Sequence, residues 1–338
     1  MRFPFSTLAV LALLVLLIAG VGIAGGTVLE RVVIDTLIKL VVVLGLSVFV
    51  GNSGVLSFGH VSFGAIAAYS SAWFTLPLAA KKLFLPKLPA FILATQLGLA
   101  PAAAIGMTAA AVFALAVGVI IVRLSGIAAS IATLAWLAIV NTVLANSDSL
   151  TRGTSSLIGL PLAVGPITAT SCALGALTVA LVFKYSRLGL MLQASREDEV
   201  AASASGIPVR RVRLIAFVLS AALVALGGVL QGHFLGVLTV GQFYFEFTFL
   251  TLAMLVMGGM SSVSGAVIGT IVVALVAEAL RVAAAGFAIG GLVVQPAPGM
   301  REIGLALIML SVLILRPRGI MGGREIGLGA IFGKRKTS

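Results

Sequence analysis

Residues 102–145 read AAAIGMTAAAVFALAVGVIIV, then Arg123 and Leu124, then SGIAASIATLAWLAIVNTVLA. Each run supplies the roughly 20 apolar residues that a helix needs to cross a hydrocarbon core about 30 Å thick. A helix also pairs its own backbone N–H and C=O groups, which lipid cannot do for it. Working outward, further apolar segments lie between charged or Pro/Gly-rich breaks, at about 6–24, 32–50, 61–80, 162–183, 213–235, 247–260, 264–284 and 302–315. Of the 338 residues, 60% are hydrophobic and 9% charged, whereas roughly a quarter of a soluble domain is charged. The predicted fold is all-α, a polytopic membrane helix bundle of about 10 transmembrane helices. The run from Leu8 to Val21 behind Arg2 is read as a retained first helix rather than a signal peptide.

A net charge of +12 raises the question of nucleic acid, so the position of the charge matters. Of the 22 Lys and Arg residues, 13 lie in three places: Arg2, the stretch Lys184 to Arg213, and the stretch Arg316 to Lys336. All three flank apolar segments. Basic short loops stay on the cytoplasmic side and favour anionic lipid there, so the implied partner is membrane lipid and no nucleic acid. Ten crossings from a cytoplasmic N-terminus put the 184–213 loop and the C-terminus in the cytoplasm, in agreement with all three clusters. Lys81, Lys82 and Lys87 fall outside in this count, beside Pro86 to Pro89. Residues 90–101 are too short to span, and a half-helix dipping back there would leave eight or nine crossings.

The 39 glycines suit close helix packing in lipid, where van der Waals contact replaces the hydrophobic effect. They cluster in GNSGVLSFGHVSFG (51–64) and GGMSSVSGAVIG (258–269), each joining an inward-running crossing to an outward-running one. Internal duplication and two independent Gly/Ser-rich turns both account for this. Cys172, the single cysteine, has no disulfide partner and belongs to no metal-ligand cluster, and reads as a packing residue.

The longest hydrophilic stretch is YSRLGLMLQASREDEVAASASGIPVRRVR, Tyr185 to Arg213. Glu197, Asp198 and Glu199 precede Ala201, Ala202 and Ala204, and Gly206 with Pro208 ends the run, the expected polarity of a short helix. Such a helix at the membrane surface suits a groove on a soluble subunit, and an ordinary solvated loop is the plain alternative. Ala201, Ala202 and Gly206 also match the Glu-Ala-Ala-x-x-x-Gly loop of ATP-binding-cassette importer permeases, with Val200 in the Glu position and Glu199 one residue earlier.

Three segments read together are similar to the LivM-type branched-chain amino-acid permeases. They are Gly54-x-x-Ser57-x-Gly59-His60-x-x-Phe63-Gly64-Ala65 with Ala68-Tyr69; Ala194-Ser195-Arg196-Glu197-x-Glu199 through Gly206-Ile207 to Gly227-Gly228; and Gly258-Gly259-Met260-Ser261-Ser262 through Gly269. The ending Arg316-Pro317-Arg318-Gly319-Ile320-x-Gly322 fits as well. The resemblance covers about residues 35–322 and implies the importer permease fold, one permease domain over 1–322, a coupling loop over 185–213 and a basic cytoplasmic tail over 323–338. It also implies two ATPase subunits, a LivH-like second permease, a periplasmic substrate-binding protein and residence in the bacterial inner membrane. In that family ATP is used by the partner subunits, so this chain is expected to bind no cofactor or metal and to be no enzyme itself.

The candidate coupling residues are Arg196, Glu197, Glu199, Ala201, Ala202, Gly206 and Ile207. The candidate translocation path is Ser53, Gly54, Ser57, Gly59, His60 and Phe63. The serine hydroxyls suit the zwitterionic head of an amino acid, and small residues for close packing explain them equally well. His60 is open to two readings, a path-lining or pH-sensing group and a packing histidine bonded to a carbonyl. Asp35 and Lys39, spaced i to i+4, read as a neutralising pair, as do Glu278 with Arg281 and Arg301 with Glu302. Glu246, behind Phe243-Tyr244-Phe245, has no evident partner. No Gly-x-x-x-x-Gly-Lys-Ser/Thr phosphate loop occurs, so ATP binding by this chain is disfavoured. The rival function is an ion-gradient-driven secondary transporter of small hydrophobic solutes, with Asp35 as its best coupling acid. A haem- or quinone-binding membrane subunit has little support from His60 and His233, far apart in sequence.

Overall fold

The structure, a computed structural model, describes residues 4–284, 287–289, 292–294 and 300–326. Arg2, the Arg301 and Glu302 side chains and the basic residues beyond 326 lie outside the described residues. The first helices are α1 (Phe5–Ala24), α2 (Gly26–Leu46), α3 (His60–Thr75), α4 (Leu78–Phe84), α5 (Ala90–Ala94), α6 (Leu99–Ile121), α7 (Gly126–Ala145) and α8 (Asp148–Thr151). Strand β1 (Leu157–Ile158) precedes α9 (Pro166–Tyr185), α10 (Arg187–Glu197), α11 (Glu199–Ala204) and α12 (Val209–Leu235). Strand β2 (Val237–Leu238), α13 (Phe245–Gly258), α14 (Val263–Ala284), β3 (Phe287–Ile289), β4 (Leu292–Val294) and α15 (Met300–Leu315) complete the order. The all-α membrane bundle expected from composition is what forms. Among the described residues, eight helices are long and apolar enough to cross a membrane. The two remaining apolar segments hold α3 and α15, 16 residues each.

α2 is the axis of the bundle. From Val33 to Leu46 every residue but Asp35 and Lys39 is buried, and from Leu40 onward the helix is apolar on all sides, as a helix enclosed by other helices must be. α12, α9, α1 and α14 pack around it, and α12 also packs on α3 and α6. Close approach depends on small residues: a Cβ at Gly228 of α12 would run into the Gly64 carbonyl of α3. The Ser220 hydroxyl donates to the Gly45 carbonyl at 2.7 Å, joining α12 to α2. α2 ends in a π-helical turn, Ser47–Gly51, a local loosening that often accompanies function.

One end of the bundle gathers the π turn, the end of α9, α10, α11, the α13–α14 turn and residues 316–326. We call it the basic end. The two glycine-rich turns meet there: a Cβ at Gly51 would strike the Met260 carbonyl. At the opposite end β1 pairs antiparallel with β2, and Trp73 donates to the Leu150 carbonyl at 2.8 Å. Residues 90–101 form no half-helix. α5 is a single turn, and α6 already starts at Leu99. Lys81, on the side the charge count disfavours, is fully buried and donates to the carbonyls of Ile92 (3.2 Å) and Thr95. It clamps the 85–98 connection instead of facing lipid phosphate, and burial lowers its pKa below the ordinary lysine range.

Candidate coupling end and translocation cavity

The loop between α9 and α12 is more helical than its sequence suggests. The Ser186 hydroxyl caps α10, accepting from the Gly189 amide at 3.1 Å. The Asp198 carboxylate caps α11, accepting from the amides of Val200 (2.8 Å) and Ala201 (2.9 Å). Side-chain acceptors of this kind satisfy the first orphan amides of a helix. Gly206, at φ +83°, ends α11 in the left-handed region, and the Ile207 amide bonds back to the Ala202 carbonyl at 3.1 Å.

The candidate coupling residues divide by direction. Glu197, Ala201 and Gly206 are exposed, together with Val200 at 79% exposure. Ala202 is buried and Ile207 half-buried, seating α11 on the bundle. Arg196 donates to the Gly51 carbonyl at 3.0 Å and to Glu197 at 2.7 Å, and its aliphatic stem fills the space where a Cβ of Gly54 would lie. Gly54 has φ +72°, so that turn needs glycine on two counts. Glu199 accepts from both terminal nitrogens of Arg213, at 3.1 and 2.8 Å, joining α11 to α12. Two residues outside the expected set complete the links: Gln193 donates to Asn52 at 3.0 Å and to the Lys184 carbonyl at 2.9 Å. These bonds tie the surface knob to the end of α2 and to α12.

Apart from the exposed Gly54, the candidate path residues are buried. The Ser53 hydroxyl accepts from the Val55 amide at 3.2 Å, and a Cβ at Gly59 would strike the Thr133 carbonyl. His60 is fully buried, with Nδ1 2.6 Å from the Ser57 hydroxyl. The rings of Phe49, Phe63 and Phe217 surround it at centroid distances of 5.4, 6.0 and 4.7 Å. Nothing in this cluster borders the large cavity.

That cavity, about 940 Å³, opens toward the opposite end between α2, α13, α14 and the end of α12. Along α2 it reaches from Thr27 to Lys39, a depth of about 18 Å at 1.5 Å per residue. Its wall mixes charge with apolar surface: Glu30, Arg31, Asp35, Lys39, Glu246, Glu278 and Arg281 alternate with Phe249, Leu250 and Met254. Asp35 pairs with Lys39, and Arg281 donates to Glu278 at 2.6 and 2.7 Å, as their spacing suggests. The sequence signal for the cavity was there, in ionisable residues inside apolar segments, but pairing made them look like neutralised edges. The cavity lining on α2 ends at Lys39, and Val41 to Leu44, nearer the basic end, are fully buried.

The family model described as branched-chain amino acid transport system / permease component matches residues 28–315. The chain is 28% identical over 290 residues to the high-affinity branched-chain amino acid transport system permease protein LivM of Escherichia coli K12, covering 73% of this chain and 62% of that protein. It is 34% identical over 155 residues to the corresponding LivH of Salmonella typhimurium, covering 45% and 46% of the two chains. A stretch of 96 residues is 36% identical to the xylose/arabinose import permease protein XylH of Sulfolobus acidocaldarius, 28% and 26% of the two. No solved structure matches. The matched residues span the axis helix, the α10–α11 knob and the cavity walls, and the chain belongs to the branched-chain amino acid transport system permease family, as a multi-pass membrane protein.

Proposed function

We propose that this chain is the transmembrane permease subunit of an ATP-binding-cassette importer, moving branched-chain or related amino acids across the bacterial inner membrane by alternating access. In this reading the basic end and both termini face the cytoplasm. Two ATPase subunits dock on α10 and α11 and hydrolyse the ATP; this chain binds no cofactor. A LivH-like second permease completes the path, and a periplasmic binding protein delivers substrate to the opposite face.

One observation carries the reading: the α10–α11 knob is exposed outward at Val200 and bonded inward to α2 through Arg196 and to α12 through Glu199 and Arg213. An ATPase that moves the knob moves the bundle axis with it. The open cavity and the shut basic end then correspond to the outward-facing state. Ser53, Gly54, Ser57, Gly59, His60 and Phe63 form the inner gate, which parts when Arg196 is drawn off the Gly51–Gly54 turn.

The secondary-transporter reading requires a free intramembrane acid, and Asp35, its best candidate, is paired with Lys39. Uptake in sealed vesicles decides between the two. With ATP inside and binding protein added outside, uptake of leucine, isoleucine or valine is expected, and a cysteine placed at Val200 crosslinks to the ATPase. Uptake driven by an imposed proton gradient with this chain alone defeats the proposal. Binding of candidate amino acids to the cognate periplasmic protein fixes the substrate.

A further inference from the structure

Glu325 lies past the last helix, in the stretch that composition assigns to a basic tail, yet it is docked into the body of the protein. Its carboxylate accepts from the Lys184 ammonium at 2.5 Å, from the amides of Val263 and Ser264 at 2.8 and 2.9 Å, and from the Ser264 hydroxyl at 2.5 Å. The side chains of Lys184 and Glu325 are 12% and 13% exposed. Lys184 also donates to the Ser261 carbonyl at 2.6 Å. The preceding residues are held as well, by Ile320 and Met321 amides donating to the carbonyls of Met257 (2.8 Å) and Gly258 (3.0 Å). A tail meant only to be solvated leaves no carboxylate with four donors in a largely buried site.

The position of the lock gives it meaning. Lys184 ends α9 immediately before the coupling helices, and its own carbonyl accepts from Gln193 of α10. Val263 and Ser264 begin α14, which packs on α13. α14 then runs about 33 Å at 1.5 Å per residue, and its far half, with that of α13, walls the charged cavity. We infer that Glu325 is a positioning residue for transport, locking the start of the coupling loop to the α13–α14 pair so that movement of α10 and α11 at the basic end is passed to the cavity wall at the other.

The inference rests on the permease reading, and the experiment separates their failures. The complete importer, with its ATPases, second permease and binding protein, is reconstituted in liposomes, and amino acid taken up per ATP hydrolysed is measured for wild type, Lys184→Met, Glu325→Gln, the double variant and Lys184→Arg. If wild type neither retains the ATPase nor takes up amino acid, the permease reading itself has failed. With a working wild type, each single neutralisation is expected to lower uptake per ATP by at least about fivefold while the ATPase still co-purifies and hydrolyses ATP. The double is expected to fall no further than the worse single, because both remove one link, and Lys184→Arg is expected to stay near wild type. Unchanged uptake per ATP in both singles overturns the inference, as do losses that multiply in the double, or loss of the bound ATPase. Should Glu325→Gln fail to fold, Lys184→Met decides alone, since it leaves the bonds from Glu325 to Val263 and Ser264 in place.

Discussion

At the basic end, polar side chains bond across long stretches of sequence: Arg196 to Gly51, Gln193 to Asn52, Lys184 to Glu325, Arg213 to Glu199. At the cavity end the ion pairs are local, Asp35 with Lys39 and Glu278 with Arg281, each within one helix. Both patterns satisfy polar and charged groups, but their mechanical consequences differ. A long-range bond makes two elements move together. A bond within a helix leaves that helix free to part from its neighbours. The proposed importer, which would take force at one end and open a cavity at the other, needs this division.

Glycine substitutions break the comparison most sharply. A Cβ at Gly258 would overlap the Gly265 carbonyl and lie 3.0 Å from Gly269 Cα, whereas a Cβ at Gly165, on the cavity rim, meets nothing within 4 Å. Gly258→Ala is expected to cost about 3 kcal/mol in detergent unfolding, since backbone atoms cannot rotate aside. Gly165→Ala is expected to stay within about 0.5 kcal/mol. Equal effects at the two sites mean that the ends are equally loose.

Charge comes next. Arg213 is 7% exposed and Glu199 45%, so Glu199→Ala leaves a nearly buried guanidinium without its carboxylate, the wetter partner limiting the loss. A destabilisation of about 1–2 kcal/mol is expected, and in the proposed importer the ATPase is then bound less tightly in co-purification. A Glu199→Ala protein as stable as wild type makes this cross-element bond an ornament of the surface.

Lys81 sharpens the comparison, because it and Trp73, bonded to Leu150, are clamps between elements at the cavity end. Lys81→Met leaves the Ile92 and Thr95 carbonyls without their donor, and about 1–2 kcal/mol is expected, read as faster proteolysis between 85 and 98. Its titration has a definite sign. Burial lowers its folded pKa, so near that value the unfolded chain binds more protons, and stability rises with pH between the lowered pKa and the unfolded value of about 10.4. Lys81→Met removes that slope.

How much of this was legible in the sequence follows from the same division. Apolar runs and their breaks place the helices to within a few residues, because helix length and hydropathy are local properties; α7 at Gly126–Ala145 against the expected 125–145 is an example. Local charge pairs were legible for the same reason. Illegible were bonds set by tertiary approach: nothing near Glu325 in sequence points to Lys184, and nothing near Lys81 points to Thr95. The coupling loop was visible as the longest polar stretch, but Gln193 and Asn52 only become a pair once α10 folds under the π turn. The cavity stayed hidden because its charges sit on α2, α13 and α14, and only packing puts them on one wall.

The smallest effect, and the most discriminating, belongs to Asp35 and Lys39, whose side chains are 31% and 18% exposed along the cavity wall. Asp35→Asn leaves an uncompensated ammonium and Lys39→Met an uncompensated carboxylate, each expected to cost about 1 kcal/mol or less because the cavity is open to water. In the double variant no charge remains and no other element has lost a bond, so most of that loss is expected to return, a coupling visible in a double-mutant cycle of unfolding free energies. Neutralising Lys184 and Glu325 together brings no such recovery of stability, because the Ser261 carbonyl and the Val263 and Ser264 amides lose bonds to a charged partner that the pair alone supplied. A double at 35 and 39 that stays as weak as its singles ties α2 to its neighbours through that pair, and the cavity wall then moves as one body with the basic end.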